Sequence, residues 1–261
     1  LIVLCSNGIY FQRIRQLFIE KLEEATLFGQ LPDLWPSPMT QIVGRLLRGV
    51  TLQTGLREGS GPQTIYRPGP PGLTRIAGGD TASRERCRVV LTEQGAWFEV
   101  TSDSPTRIEF NKAQVNLACN LLGQLYAIDE TGGFRTLTVG EIFRPEHIPQ
   151  IRELAWQVFQ VGKAVKAYQG TEDFESVFAQ LQRSCGLHQA HVPSSLQWVG
   201  MMLASGRLEA RLPPTETWLL EPLLYYARAA GLEDTVRYLD GLKEALLKKL
   251  DAATQRPLTR T

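Results

Sequence analysis

The stretch RSCGLHQAHVP, Arg183 to Pro193, gathers one thiol and two imidazoles: Cys185, His188 and His191. These side chains bind zinc or copper, and a thiol beside an imidazole is also a pairing of nucleophile with base. The spacing constrains both readings. On an ideal helix, residues i, i+3 and i+6 rotate by about 60° per step. Three ligands on such a helix fan too widely to converge on one ion. Gly186 and Pro193 end the helix instead, with Gly186 near C′ and both histidines on the exit loop. There the loop folds three ligands around a transition metal, or the histidines rest beside the negative end of the helix dipole. A structural zinc needs a fourth donor, and His147 and the other thiols are remote in sequence. A Cys185–His188 dyad needs a third group to orient the base, and nothing nearby has the signature of one.

A second candidate lies at the start of the chain. LIVLC is a buried-strand pattern, Ser6-Asn7-Gly8 has turn chemistry, and a helix follows with Phe11, Ile14, Phe18, Leu22 and Ala25 on one face. A strand–turn–helix of this kind offers free N–H groups and the positive end of a dipole to a phosphate or other anion. The loop has neither G-x-G-x-x-G nor G-x-x-x-x-G-K-[ST], and Ser6 and Asn7 are also ordinary helix caps.

A third candidate is electrostatic. Arg57, Arg67, Arg75, Arg84, Arg86 and Arg88 line a Gly- and Pro-rich stretch, against Glu58, Asp80 and Glu85. A mobile arginine-bearing segment wraps a nucleic-acid backbone, or remains a solvated linker. The helix and hairpin from Asn111 to Val139 imitate part of a winged helix, but Lys112 is the only basic residue on that helix.

The elements that must position these groups read as follows. Residues 1–54 form a strand and helix unit, with LPDLWPSPM as a Pro-punctuated connector and a short helix through Ile42, Val43, Leu46 and Leu47. Residues 55–86 read as a linker or long loop, whose composition supports no stable helix or central strand. Residues 87–143 read as a small α+β unit. CRVVLT and AWFEVTS flank a hairpin turn at Glu93-Gln94-Gly95, and TRIEF is a third strand. Asn111 caps a helix to about Leu122, and LYAID and FRTLTV flank a second hairpin at Glu130-Thr131-Gly132-Gly133. Residues 144–255 read as a helical bundle, its last helix carrying Val236, Leu239, Leu242, Leu246 and Leu250 on one stripe. The fold class expected is α+β: a small, mainly antiparallel sheet with a packed helix, followed by a C-terminal helical bundle.

Composition sets the frame for function. The chain has 261 residues, 43% hydrophobic and 21% charged, with a formal net charge of +1. No global field directs it to nucleic acid or to a membrane, and no stretch approaches the length of a membrane span. Its four cysteines, Cys5, Cys87, Cys119 and Cys185, form no CxxC pair. Scattered thiols point to a reducing compartment, the cytoplasm. With no phosphate loop, nucleophile motif or full metal set, the expected function is a non-enzymatic interaction or regulatory protein. It would act on a protein partner through its helical half, without a cofactor. The alternatives are a nucleic-acid-binding regulator using residues 57–88 and an enzyme with an unrecognised site.

Overall fold

The computed structural model describes residues 1–24, 29–30, 37–52, 55–58, 63–68, 73–92 and 97–255. The chain forms two compact units, Leu1–Glu109 and Phe110–Thr261. The fold class is α+β.

The first unit is built on two strand–helix–strand crossovers. Strand β1 (Ile2–Cys5) leads through helix α1 (Phe11–Leu22), α2 (Pro38–Gln41) and a 3-10 turn at Val43–Arg45 to β2 (Leu46–Thr51). After β3 (Gly55–Glu58) and β4 (Ile65–Pro68), β5 (Thr74–Gly78) leads through α3 (Thr81–Thr92) to β6 (Phe98–Val100). The four-stranded sheet has the order β1-β2-β5-β6, with β1–β2 and β5–β6 parallel and β2–β5 antiparallel. A separate antiparallel pair joins β3 to β4. Parallel neighbours require a crossover, and the two helical connections supply it. Leu47, Ile76 and Cys87 form one core cluster with Val3, Leu91 and Val100 against it. Gly49 faces Cys5 across the β1–β2 ladder, and a Cβ there would lie 2.3 Å from the Cys5 sulfur. Only glycine lets the two strands register at that position.

Several local expectations are corrected here. The segment 55–86 carries β3, β4 and β5, and β5 is a central strand despite its flanking glycines. The residues read as a helix through Leu46 and Leu47 begin β2. CRVVLT is helical, not extended. Asp80 caps α3, its Oδ1 accepting the Ser83 N–H at 2.7 Å, and the β-branched Val89 and Val90 lie on the exposed face. TRIEF is also helical, within α4 (Pro105–Asn116). Ser104 Oγ accepts the Arg107 N–H at 3.0 Å and Pro105 takes the first helical position, so the start signals lie upstream of the alternating Ile108 and Phe110. Asn111 is therefore interior to α4 and not a cap. Residues 31–36 of the connector, residues 53–54, 59–62 and 69–72 of the Gly/Pro-rich stretch, and the turn at Glu93-Gln94-Gly95 lie outside the described residues.

In the second unit, α4 continues through a π-turn at Leu117–Leu121 into α5 (Leu122–Ala127). LYAID is thus mostly helix. The expected hairpin reduces to one bridge, Ile128 to Phe134, around a turn in which Asp129 Oδ1 accepts N–H groups of Thr131 and Gly133. Then follow α6 (Val139–Ile142), α7 (Ile148–Ala164), α8 (Phe174–Gly186), α9 (Ser194–Ala204), α10 (Pro214–Ala229) and α11 (Glu233–Gln255). Leu239, Leu242, Leu246 and Leu250 of α11 are buried along the expected stripe. Among the described residues, no helix is long and apolar enough to cross a membrane.

Candidate functional site

Of the five polar residues between Phe110 and Leu122, three recur four residues apart: Lys112, Asn116 and Asn120. On a regular α-helix, two steps of four carry the third residue about 80° away from the first. The π-turn at Leu117–Leu121 rotates less per residue and brings Asn120 back toward the face of Lys112. Asn116 and Asn120 are buried. The Asn116 amide nitrogen has no hydrogen-bond partner among the described residues. Asn120 Oδ1 accepts the Ser195 N–H at 3.2 Å, satisfying a donor in the first turn of α9.

The Asn120 contact extends into a buried chain. Ser195 Oγ donates to Glu216 Oε1 at 2.6 Å, and Gln124 Nε2 donates to the Asn120 carbonyl at 3.0 Å. Glu216 is buried in the first turn of α10. Burial pushes its carboxyl up to about 7, against the hydrogen bond from Ser195. Glu216 Oε2 and Gln124 Oε1 are both buried without a partner, and the two side chains lie within hydrogen-bonding reach.

Lys112 keeps part of its side chain accessible, but desolvation of its ammonium pushes its pKa down, with Cys119 and Cys185 acting weakly the other way. Among the described residues no carboxylate pairs with it. Cys119 and Cys185 are in contact, Sγ to Sγ 3.6 Å, and both are buried. The Cys185 thiol is pushed up first by that S–H···S contact and then by burial. Burial pushes His188 and His191 down, with Lys112 adding to both. Cys185, His188 and His191 thus lie within electrostatic reach of Lys112. Among the described residues no three His, Cys, Asp or Glu side chains are placed to hold a metal. His147 lies apart, stacked on Tyr126 at 4.0 Å.

The first unit treats its own candidates differently. The N-terminus of α1 beside Ser6-Asn7-Gly8 is filled by protein. Glu109 Oε1 accepts the N–H groups of Tyr10 at 3.2 Å and Phe11 at 3.1 Å. Arg48, 1% exposed, pairs with that oxygen at 2.7 Å and donates to the carbonyls of Leu4, Ser6 and Gly8. Burial pushes the Glu109 carboxyl up while Arg48 pulls it down. The contact distance makes this an ion pair. Of the arginines, Arg75 pairs with Glu99 at 3.0 Å, Arg84 donates to the Gly79 carbonyl at 2.7 Å, and Arg88 pairs with Glu85. Arg67 and Arg86 are exposed, and Arg67 too has an interaction partner. A cavity of about 440 Å³ in this unit is lined by Phe11, Gln12, Arg15, Gly78, Gly79 and Asp80 among others.

Sequence reasoning passed over Lys112, Asn116, Asn120, Ser195 and Glu216 as a site. The available signal was the four-residue recurrence of amide and amine side chains inside an apolar helix. The π-turn and the fold-back of α9 and α10, which give that recurrence meaning, have no local signature.

No protein-family model matches the chain, and no curated protein matches it. Solved structures do. The ternary structure of D-mandelate dehydrogenase with NADH and anilino(oxo)acetate superposes with a TM-score of 0.65 at 19% identity, over 96% of this chain and 68% of that one. A 2-dehydropantoate 2-reductase from Methylococcus capsulatus gives 0.60 at 17% identity, over 98% and 67%. A probable 2-dehydropantoate 2-reductase from Bacillus subtilis gives 0.55 at 17%, over 94% and 68%. At such identities the likeness is one of fold. It overturns the expectation of a non-enzymatic regulator or protein-binding module, and that of a nucleic-acid-binding regulator. The structures that share this fold over nearly the whole chain are dehydrogenases and reductases.

The dehydrogenase holds NADH. A dinucleotide pyrophosphate needs free N–H groups at a helix N-terminus and glycines that admit it. At the start of α1, the N–H groups of Tyr10 and Phe11 are taken by Glu109. A Cβ at Gly78 would meet Pro105 at 2.8 Å, and one at Gly79 the Gly44 carbonyl at 3.0 Å, so protein atoms fill the space beside both glycines. At these places the described residues do not fit a dinucleotide.

Proposed function

We propose that this chain carries the substrate-orienting and proton-transferring residues of an oxidoreductase that interconverts a 2-oxo acid and a 2-hydroxy acid. The observation that carries the reading is Lys112: a side chain with no counter-ion among the described residues, its pKa pushed down, on one helix face with Asn116 and Asn120. When a carbonyl is reduced, its oxygen becomes an alkoxide that must be stabilised and protonated. A lysine with a depressed pKa is a stronger acid than an exposed one, and as ammonium it supplies positive charge to the developing oxyanion. The partnerless Asn116 amide is a donor ready for the same oxygen or for the neighbouring carboxylate. The Ser195–Glu216–Gln124 chain holds Asn120 in one orientation. In the reverse direction, neutral Lys112 takes the hydroxyl proton. The substrate class is suggested by the fold neighbours, a D-mandelate dehydrogenase seen with anilino(oxo)acetate and a 2-dehydropantoate 2-reductase. The four free thiols support placing the chain in the cytoplasm.

The reading is tested with phenylglyoxylate, pyruvate and 2-dehydropantoate, whose binding saturation-transfer NMR reports. Binding of at least one 2-oxo acid, lost in Lys112→Met, is the expected result. Equal binding in Lys112→Met would refute it.

A further inference from the structure

We propose that Cys119 and Cys185 form an oxidative modification site: a hydroperoxide converts the two thiols to a disulfide that ties the π-turn to α8, and a thiol reductant reopens it. The inference rests on the sulfur contact and holds whether or not Lys112 acts on a carbonyl. The two sulfurs lie 3.6 Å apart, brought together by elements 66 residues apart in the chain. The disulfide bond is about 2.0 Å long, so the sulfurs must approach by roughly 1.5 Å. The π-turn that carries Cys119 is the element suited to move, since a π-turn converts to regular helix by a local change of hydrogen-bond partner.

The chemistry balances without a metal. The more accessible sulfur is Cys119, 7% exposed against 3% for Cys185. Its thiolate attacks one peroxide oxygen, the O–O bond breaks, and protonation of the leaving oxygen gives water and a sulfenic acid. The Cys185 sulfur then attacks the sulfenic sulfur. The S–O bond breaks, a second water leaves, and the S–S bond forms. Two thiols and one hydrogen peroxide give one disulfide and two waters. Cys185 must shed a proton in that step, and the contact with Cys119 and burial both hold the proton on. That proton passes to the departing hydroxide and completes the second water, and Lys112 lies within electrostatic reach of both sulfurs. No other sulfur has such a contact among the described residues: Cys5 is exposed at an edge strand and Cys87 is buried in the sheet core.

The test is peptide mapping of the native full chain after hydrogen peroxide treatment and alkylation, with and without dithiothreitol. The expected result is loss of two hydrogens in the intact mass and a linked Cys119–Cys185 peptide pair, with full recovery on reduction. Recovery of both cysteines as separate alkylated peptides would overturn the proposal. So would their conversion to sulfinic acid without a link, or a link formed only after denaturation. Wild-type mapping decides this without a variant. Cys119→Ser and Cys185→Ser, with thermal midpoints measured to confirm folding, must each abolish the link.

Discussion

Burial disfavours the charged forms of Lys112 and Glu216, and each shift has a consequence for stability. For Lys112 the folded pKa is depressed, so between that value and the ordinary lysine range the unfolded chain binds more protons. Stability contributed by this residue therefore rises as pH rises through that window. Lys112→Met removes the desolvation cost, and calorimetry should show a higher midpoint and a flatter alkaline profile. Glu216 has the opposite sign. Its folded pKa is raised to about 7, so the folded state binds more protons between the ordinary carboxylate range and that value. Stability falls as pH rises through this window and levels off above it. Glu216→Gln removes the buried charge and keeps an oxygen that accepts from Ser195. The variant should gain about 3 kcal/mol above about pH 7, shrinking to nothing below about pH 4, in urea unfolding across pH. A variant that loses stability throughout would mean Glu216 is ionised at rest.

The β1–α1 turn is organised by one buried pair. Arg48 ties three carbonyls of the loop and Glu109 caps the helix it leads into. Arg48→Met leaves the Glu109 charge buried and uncompensated, and should cost about 3–5 kcal/mol in chemical unfolding. Arg48→Met with Glu109→Gln should recover part of that loss. A single variant within about 1 kcal/mol of wild type would mean that solvent reaches the pair. At this scale the sequence is legible where the pattern is long. The stripe of Leu239, Leu242, Leu246 and Leu250 marks a helix because about three turns repeat one period. It misleads where the run is short. Cys87–Thr92 and Thr106–Phe110 alternate like strands, but Asp80 and Ser104 upstream have already started helices. A cap fixes the first turn, and helix formation propagates from it more readily than it begins anew. The strand β5 is missed for a different reason: a β2 partner 27 residues back, Thr51 against Thr74 and Leu47 against Gly78, decides its state more than its own glycines do.

At the scale of the whole molecule, α+β architecture follows from the order of patterned segments, and the bundle from short connections between amphipathic runs. The site does not. Cys185, His188 and His191 stand out in sequence as a metal set, yet folding brings them within electrostatic reach of a lysine assigned no role by its own neighbourhood. The role proposed for Lys112 rests on groups contributed by separate helices, which no spacing along the chain records. The account as a whole makes Lys112 a proton carrier whose charge is linked to an anionic 2-oxo acid. The most direct test is NMR titration of the Lys112 side chain, assigned through Lys112→Met, with and without oxamate as an inert 2-oxo acid analogue. The account predicts that Lys112 titrates below every other lysine and that bound oxamate raises its pKa, because the ligand's carboxylate favours the ammonium. A Lys112 that titrates with the surface lysines and does not respond to oxamate would contradict it.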